Sequence, residues 1–108
     1  MSEKKIFQMH ADVCKALAHA IRIQIIDLIG EGVLGYGEIL KKTNVPKSSL
    51  SQHLAVMVER GILIHWKEGL HSYYRLSTPK VAEACRLMRE VLIERLEKTN
   101  EVLKQIKD

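Results

Sequence analysis

NVPKSSLSQHLAVMVERGILIHWKEGLHSYYRL, residues 44–76, is the stretch that decides the fold. Asn44, Val45 and Pro46 break a short helix over roughly Gly37 to Thr43, whose Ile39 and Leu40 face inward. Pro46 stands near the start of the next helix, where a missing N–H costs nothing. That helix covers about 47–60 and carries Leu50, Leu54, Met57 and Val58 on one face. Gly61 suits the left-handed position that ends a helix. Ile62 to Trp66 reads as a strand, Lys67 to Leu70 as a turn pivoting on Gly69, and His71 to Leu76 as a second strand.

Two helices joined by so short a break suit a helix-turn-helix, whose second helix enters the major groove of DNA. A generic helical hairpin is the alternative. Three features favour DNA. The exposed start of the second helix, with Lys47, Ser48, Ser49, Ser51 and Gln52, is built from hydrogen-bonding side chains. Lysine reaches phosphate or guanine, glutamine pairs with adenine, and serine tolerates several base edges. No acidic residue occurs between Thr43 and Val58, so nothing there repels phosphate. The hairpin follows at once and can act as a wing on the flanking backbone, through Lys67, His71 and Arg75. His53 has two readings, a phosphate contact near the helix start or a local packing residue. Arg75 is open in the same way, between phosphate contact and structure.

Outward from this stretch, residues 5–19 place Ile6, Met9, Val13 and Leu17 on one helical face. Residues 20–30 continue as a second helix with Ile21, Ile25, Leu28 and Ile29 inward, and Arg22 and Gln24 on its polar side. GEGVLGYGE, residues 30–38, reads as a loop. Pro79 opens a last helix over about 78–107, with a stripe of Val81, Cys85, Met88, Leu92, Leu96, Leu103 and Ile106. The expected fold is mainly α with a β-hairpin wing: a winged helix-turn-helix of four helices, two strands and a fifth helix.

The chain has 108 residues, 46% hydrophobic and 28% charged, with a net charge of +4. This fits one domain over 1–108 with a real core. A mild positive charge permits a polyanionic partner without requiring one. No apolar run approaches the ~20 residues of a membrane span, and the polar start from Met1 to Lys5 does not read as a signal peptide. A cytoplasmic protein is expected. Cys14 and Cys85 are then free thiols rather than a structural bridge. The chain has no glycine-rich phosphate loop, no paired carboxylates in a likely cleft and no serine elbow, so an enzyme is not expected.

LAHAIRIQIIDLI, SSLSQHLAVMVERGIL and WKEGLHSYYRL resemble the ArsR/SmtB family of bacterial repressors over roughly residues 10–95. The order Ser51-x-His53-Leu54, Gly61, Gly69 and Tyr73-Tyr74-Arg75-Leu76 carries the resemblance. It implies a homodimeric winged-helix repressor that leaves its operator when an inducer binds. Two places depart from the pattern. Leu17-Ala18-His19-Ala20-Ile21-Arg22 replaces the family's usual Leu-Ala-His-Pro-Thr-Arg, and Leu70 stands where the family often has arginine. The family's metal sites are missing too. Gly35 and Gly37 occupy the positions of a Cys-x-Cys pair, and no histidine follows His71. Neither a metal nor another cofactor is expected.

The last helix argues for a dimer. About 30 residues at 1.5 Å each span ~45 Å, far beyond a domain with a radius of gyration near 13 Å. Its second half needs a partner, and pairing with the first helix and its twofold mate answers the need. Twofold symmetry predicts a palindromic double-stranded operator. For the inducer, a small molecule or an oxidant, the candidate sensor is Cys14 with Cys85. His10 lies four residues from Cys14 on one helical face. Three readings stay open: two small buried hydrophobes, a dithiol switch, or a soft-metal site with His10. The competing function is a winged helix that binds a protein and has little DNA affinity, which the uncharged Leu70 keeps open.

Overall fold

The computed structural model describes residues 2–107, with the side chain of Lys107 left out. Helix α1 covers Glu3–Leu17. Ser2 caps it, its Oγ accepting from the Lys5 amide at 3.3 Å. After a break at the extended His19, α2 covers Ala20–Ile29. Strand β1 is Leu34–Gly35, α3 is Tyr36–Thr43 and α4 is Lys47–Glu59. Strands β2, Leu63–Glu68, and β3, His71–Leu76, form the wing. Helix α5 covers Lys80–Lys107. The expected mainly helical fold with a hairpin wing is what forms.

Local chemistry sets the boundaries. Asn44 ends α3 in the left-handed conformation at φ 53°, and Pro46 then supplies the carbonyl that accepts from Leu50 at 3.0 Å. At the far end of α4, Gly61 takes φ 76°. Its amide donates to Val58 and the Ile62 amide to Met57, the paired bonds of a Schellman ending.

The glycine-rich stretch at 30–38 is not all loop. Leu34 and Gly35 pair with Tyr74 and Tyr73, so the sheet has three strands in the order β1-β3-β2. The free edge of β3 offers unpaired amides and carbonyls, and this short segment takes them. Helix α3 then begins at Tyr36, one residue before the expected start, with the Glu38 carboxylate accepting from the Gly35 amide at 3.1 Å. The wing turn is also tighter than expected. Lys67 and Glu68 belong to β2, and pairing of Glu68 with His71 leaves only Gly69 and Leu70 in the turn. Gly69 has φ 62°, the left-handed first position of a tight hairpin turn.

The core joins Ile25, Ile26 and Ile29 of α2, Ile39 of α3, Leu50, Leu54 and Met57 of α4, and Ile62, Leu63, Tyr74 and Leu76. Arg22 is a correction. It is not on the polar side of α2 but buried, with 8% of its surface exposed. Its spacing to Ile25, Ile26 and Ile29 is that of the core face.

The stripes of α1 and α5 behave differently. Ile6, Phe7, Met9 and Val13 are exposed on α1, as are Met88, Leu92, Leu96, Leu103 and Ile106 on α5. Only the start of α5 is packed, with Val81, Ala82 and Cys85 against the core. The radius of gyration is 17.3 Å, against ~13 Å for a compact chain of this length. Among the described residues no helix is long and apolar enough to cross a membrane.

Candidate nucleic-acid interface

The first turns of α4 carry the candidate contacts. Lys47, Ser48, Ser51 and Gln52 are exposed, and Ser49 and His53 are half-buried. Leu50, Leu54 and Met57, fully buried on the opposite face, fix the rotation of the helix. Lys47, Ser48, Ser51 and Gln52 therefore point outward as a set.

Two contacts invisible in the local pattern hold this surface. The Tyr36 hydroxyl donates to the Lys47 carbonyl at 3.2 Å and lies 2.9 Å from Ser51 Oγ. Its single proton is thereby used, so the Ser51 hydroxyl donates to it. The phenol ties the first turn of α3 to the first turn of α4 across the break. On the other side, Arg22 Nε donates to His53 Nδ1 at 3.0 Å. The His19 ring stands edge-on to His53 with centroids 5.6 Å apart. Burial, then the Arg22 cation, then His19 hold His53 below the ordinary imidazole pKa of 6.5.

The wing residues divide over two faces. Side chains alternate along a strand. In this register Lys67 shares a face with Ser72, Tyr74 and Leu76, whereas His71 and Arg75 share the other with Glu68, Trp66, Tyr73 and Ile64. His65 and Tyr74, stacked with centroids 4.8 Å apart, line a hollow with Ser51, Leu54 and Ala55 of α4. The Lys67 face is thus continuous with the α4 surface. Arg75 Nη1 donates to the Leu76 carbonyl at 3.1 Å, folding back on its own strand. Leu70 stands at the tip, 98% exposed.

The two cysteines lie elsewhere. Cys14 and Cys85 line one largely apolar hollow of about 400 Å³ between α1, α2 and α5, together with His10, Ile23, Met88 and Arg89. Burial raises the Cys85 thiol pKa, and Arg89 offsets part of that. Among the described residues no three histidine, cysteine or carboxylate side chains gather to hold a metal ion.

Sequence reasoning missed Tyr36, Arg22 and His19. For Arg22 a signal existed in the core spacing of α2. For Tyr36 there was none, because its partners sit 11 and 15 residues away.

The description "Bacterial regulatory protein, arsR family" matches residues 19–64. An uncharacterized HTH-type transcriptional regulator of Mycobacterium tuberculosis, Rv0081, is 30% identical over 99% of this chain and 95% of its own length. Its crystal structure superimposes with a TM-score of 0.78, covering 87% of this chain and 95% of that one. The transcriptional repressor PagR of Bacillus anthracis is 32% identical over 75% of this chain and 82% of its own. A homodimeric winged helix-turn-helix DNA-binding domain of Mycobacterium bovis, solved by NMR, is 31% identical with a TM-score of 0.77, over 91% of this chain and 93% of that one. With relatives matched end to end and the winged helix-turn-helix in place, this chain belongs to the ArsR family of bacterial regulatory proteins and is a DNA-binding regulator of transcription.

Proposed function

We propose that this regulator is a homodimeric repressor that reads a palindromic duplex operator and leaves it when an inducer acts. The observation that carries the DNA contact is the outward set Lys47, Ser48, Ser51 and Gln52, with the half-buried Ser49 beside them, on a helix locked from behind by Leu50, Leu54 and Met57. Helix α4 enters the major groove, and its side chains meet phosphate and base edges. Lys67, on the wing face continuous with α4, meets the flanking backbone. His71 and Arg75 belong to the opposite face and contribute less. His53 we assign to holding α4 rather than to phosphate.

Helices α1 and α5 are the dimerisation helices of a single domain over residues 1–108. Their exposed apolar stripes support this, because a second copy covers both at once. Two α4 helices then meet successive major grooves about 34–36 Å apart. An operator-bound repressor acts in the cytoplasm.

Selection of duplexes from a random pool tests the proposal. A palindrome with half-sites one helical turn apart is expected, and affinity falls steeply with salt. No binding to any duplex at low salt would favour a protein-binding winged helix instead.

For the inducer, Cys14 and Cys85 are the candidate thiol sensor, supported by their sharing one hollow. A two-electron oxidant such as diamide takes two electrons and two protons from the thiols, joins the sulfurs and is itself reduced to the hydrazine. Loss of DNA binding on diamide treatment, absent in Cys14→Ser, is expected; unchanged binding of the treated wild type defeats the sensor.

A further inference from the structure

Arg22 is the side chain that joins α1 to the DNA-reading helix. Its Nη1 donates to the Ala16 carbonyl at 2.9 Å, and its Nε donates to His53 Nδ1 at 3.0 Å. Ala16 is in the last turn of α1, where carbonyls lack intrahelical partners and the helix dipole is negative. A buried cation there satisfies both needs. Among the described residues the only ion pair is Arg89 with Asp27, so no carboxylate balances Arg22. A buried charge without a counter-ion depends on its neutral acceptors.

We infer that Arg22 is a positioning residue for DNA binding, clamping α4 to the end of α1 through the bare Nδ1 of His53. This rests on α4 being the helix that meets DNA.

The chemistry makes the clamp conditional. Arginine has only donors and does not deprotonate. His53 must therefore be neutral, with its proton on Nε2. A second proton, on Nδ1, sets a donor against a donor and parts the pair. The groups facing the ring are Arg22 of α2 and His19 at the α2 start, and both oppose a further positive charge. With the folded pKa lowered, the clamp is fully present above the ordinary value of 6.5 and is lost as pH falls through the lowered one.

Simple electrostatics has the opposite sign. A histidine that gains charge beside phosphate strengthens binding as pH falls. The two accounts of His53 thus separate cleanly.

The probe is a duplex selected from a random pool by the wild type near neutral pH. Fluorescence anisotropy then gives Kd at fixed salt across about pH 5 to 8 for wild type, H53Q, R22K and R22M. Wild-type affinity is expected to fall about tenfold or more on acidification, the low end of the worth of one lost hydrogen bond to a charged group. In H53Q the amide oxygen accepts from Arg22 at every pH, so most of the neutral-pH affinity stays and the acid fall disappears. R22M binds about tenfold more weakly throughout while circular dichroism and dimer state stay the same. Should R22M not fold, R22K decides. It keeps the cation for Ala16 without spanning both acceptors, so it binds more weakly at neutral pH with a flatter profile. Wild-type affinity that rises on acidification, or an H53Q profile matching the wild type, overturns the clamp alone. A wild type that binds no duplex at any pH overturns the DNA reading as well.

Discussion

Tyr36 and Ser51, one on each helix of the helix-turn-helix, have their hydroxyl oxygens 2.9 Å apart. The same phenol donates to the Lys47 carbonyl at 3.2 Å. It therefore sets the angle at which the first turn of α4 is presented. Tyr36→Phe keeps the ring and removes both bonds. Each bond is worth about 0.5–1.5 kcal/mol, so losing both lowers stability by about 1–3 kcal/mol, toward the low end because both are exposed. DNA affinity is expected to drop several-fold because α4 is less well held. Urea unfolding and anisotropy titration read the two effects, and an unchanged Kd would show that the clasp does not position the helix.

Lys67 and Arg75 sit on opposite faces of the wing. If only the Lys67 face meets the operator backbone, Lys67→Ala weakens binding to all sequences alike. It also lowers the slope of log K against log salt by about one. Arg75→Ala, which frees the Leu76 carbonyl, leaves that slope unchanged. Equal slope changes in both variants would mean that the wing lies in the groove edge-on, with both faces wetted by phosphate.

Leu96 lies on the unpacked half of α5, 64% exposed in the protomer. Leu96→Glu puts a charge where a second copy is proposed to pack, and burying an unpaired charge is strongly unfavourable. Analytical ultracentrifugation is expected to show monomers at concentrations where the wild type is dimeric. Binding to a duplex with two half-sites weakens more than binding to a single half-site. A variant that stays dimeric would place the interface elsewhere.

Met57 is fully buried on the inner side of α4. Met57→Ala is expected to cost about 2–5 kcal/mol, the usual range for such truncation. Because Met57 helps fix the rotation of α4, operator affinity of the folded fraction is expected to fall several-fold as well. A cost well under about 1 kcal/mol would show that the core relaxes around the cavity.

Local rules alone account for most of the recognition unit. The break at Asn44 and Pro46, the inward face of Leu50, Leu54 and Met57, the ending at Gly61 and the hairpin about Gly69 all follow from short-range spacing and turn chemistry. The outward serines and Lys47 follow as the complement of that inward face. Even the excess length of the last helix was legible, because helical rise and domain size are both generic.

Other features depend on partners far along the chain. Leu34 and Gly35 look like loop until the free edge of β3 offers them hydrogen bonds. Lys67 and Arg75 look alike as cations until strand register puts them on opposite faces. Arg22 looks like a solvated residue until the end of α1 and the His53 ring supply acceptors for a buried guanidinium. Periodicity says which side of a helix turns inward. Only packing says which polar group waits there, and that is why the hold on the recognition helix lay outside the stretch from 44 to 76.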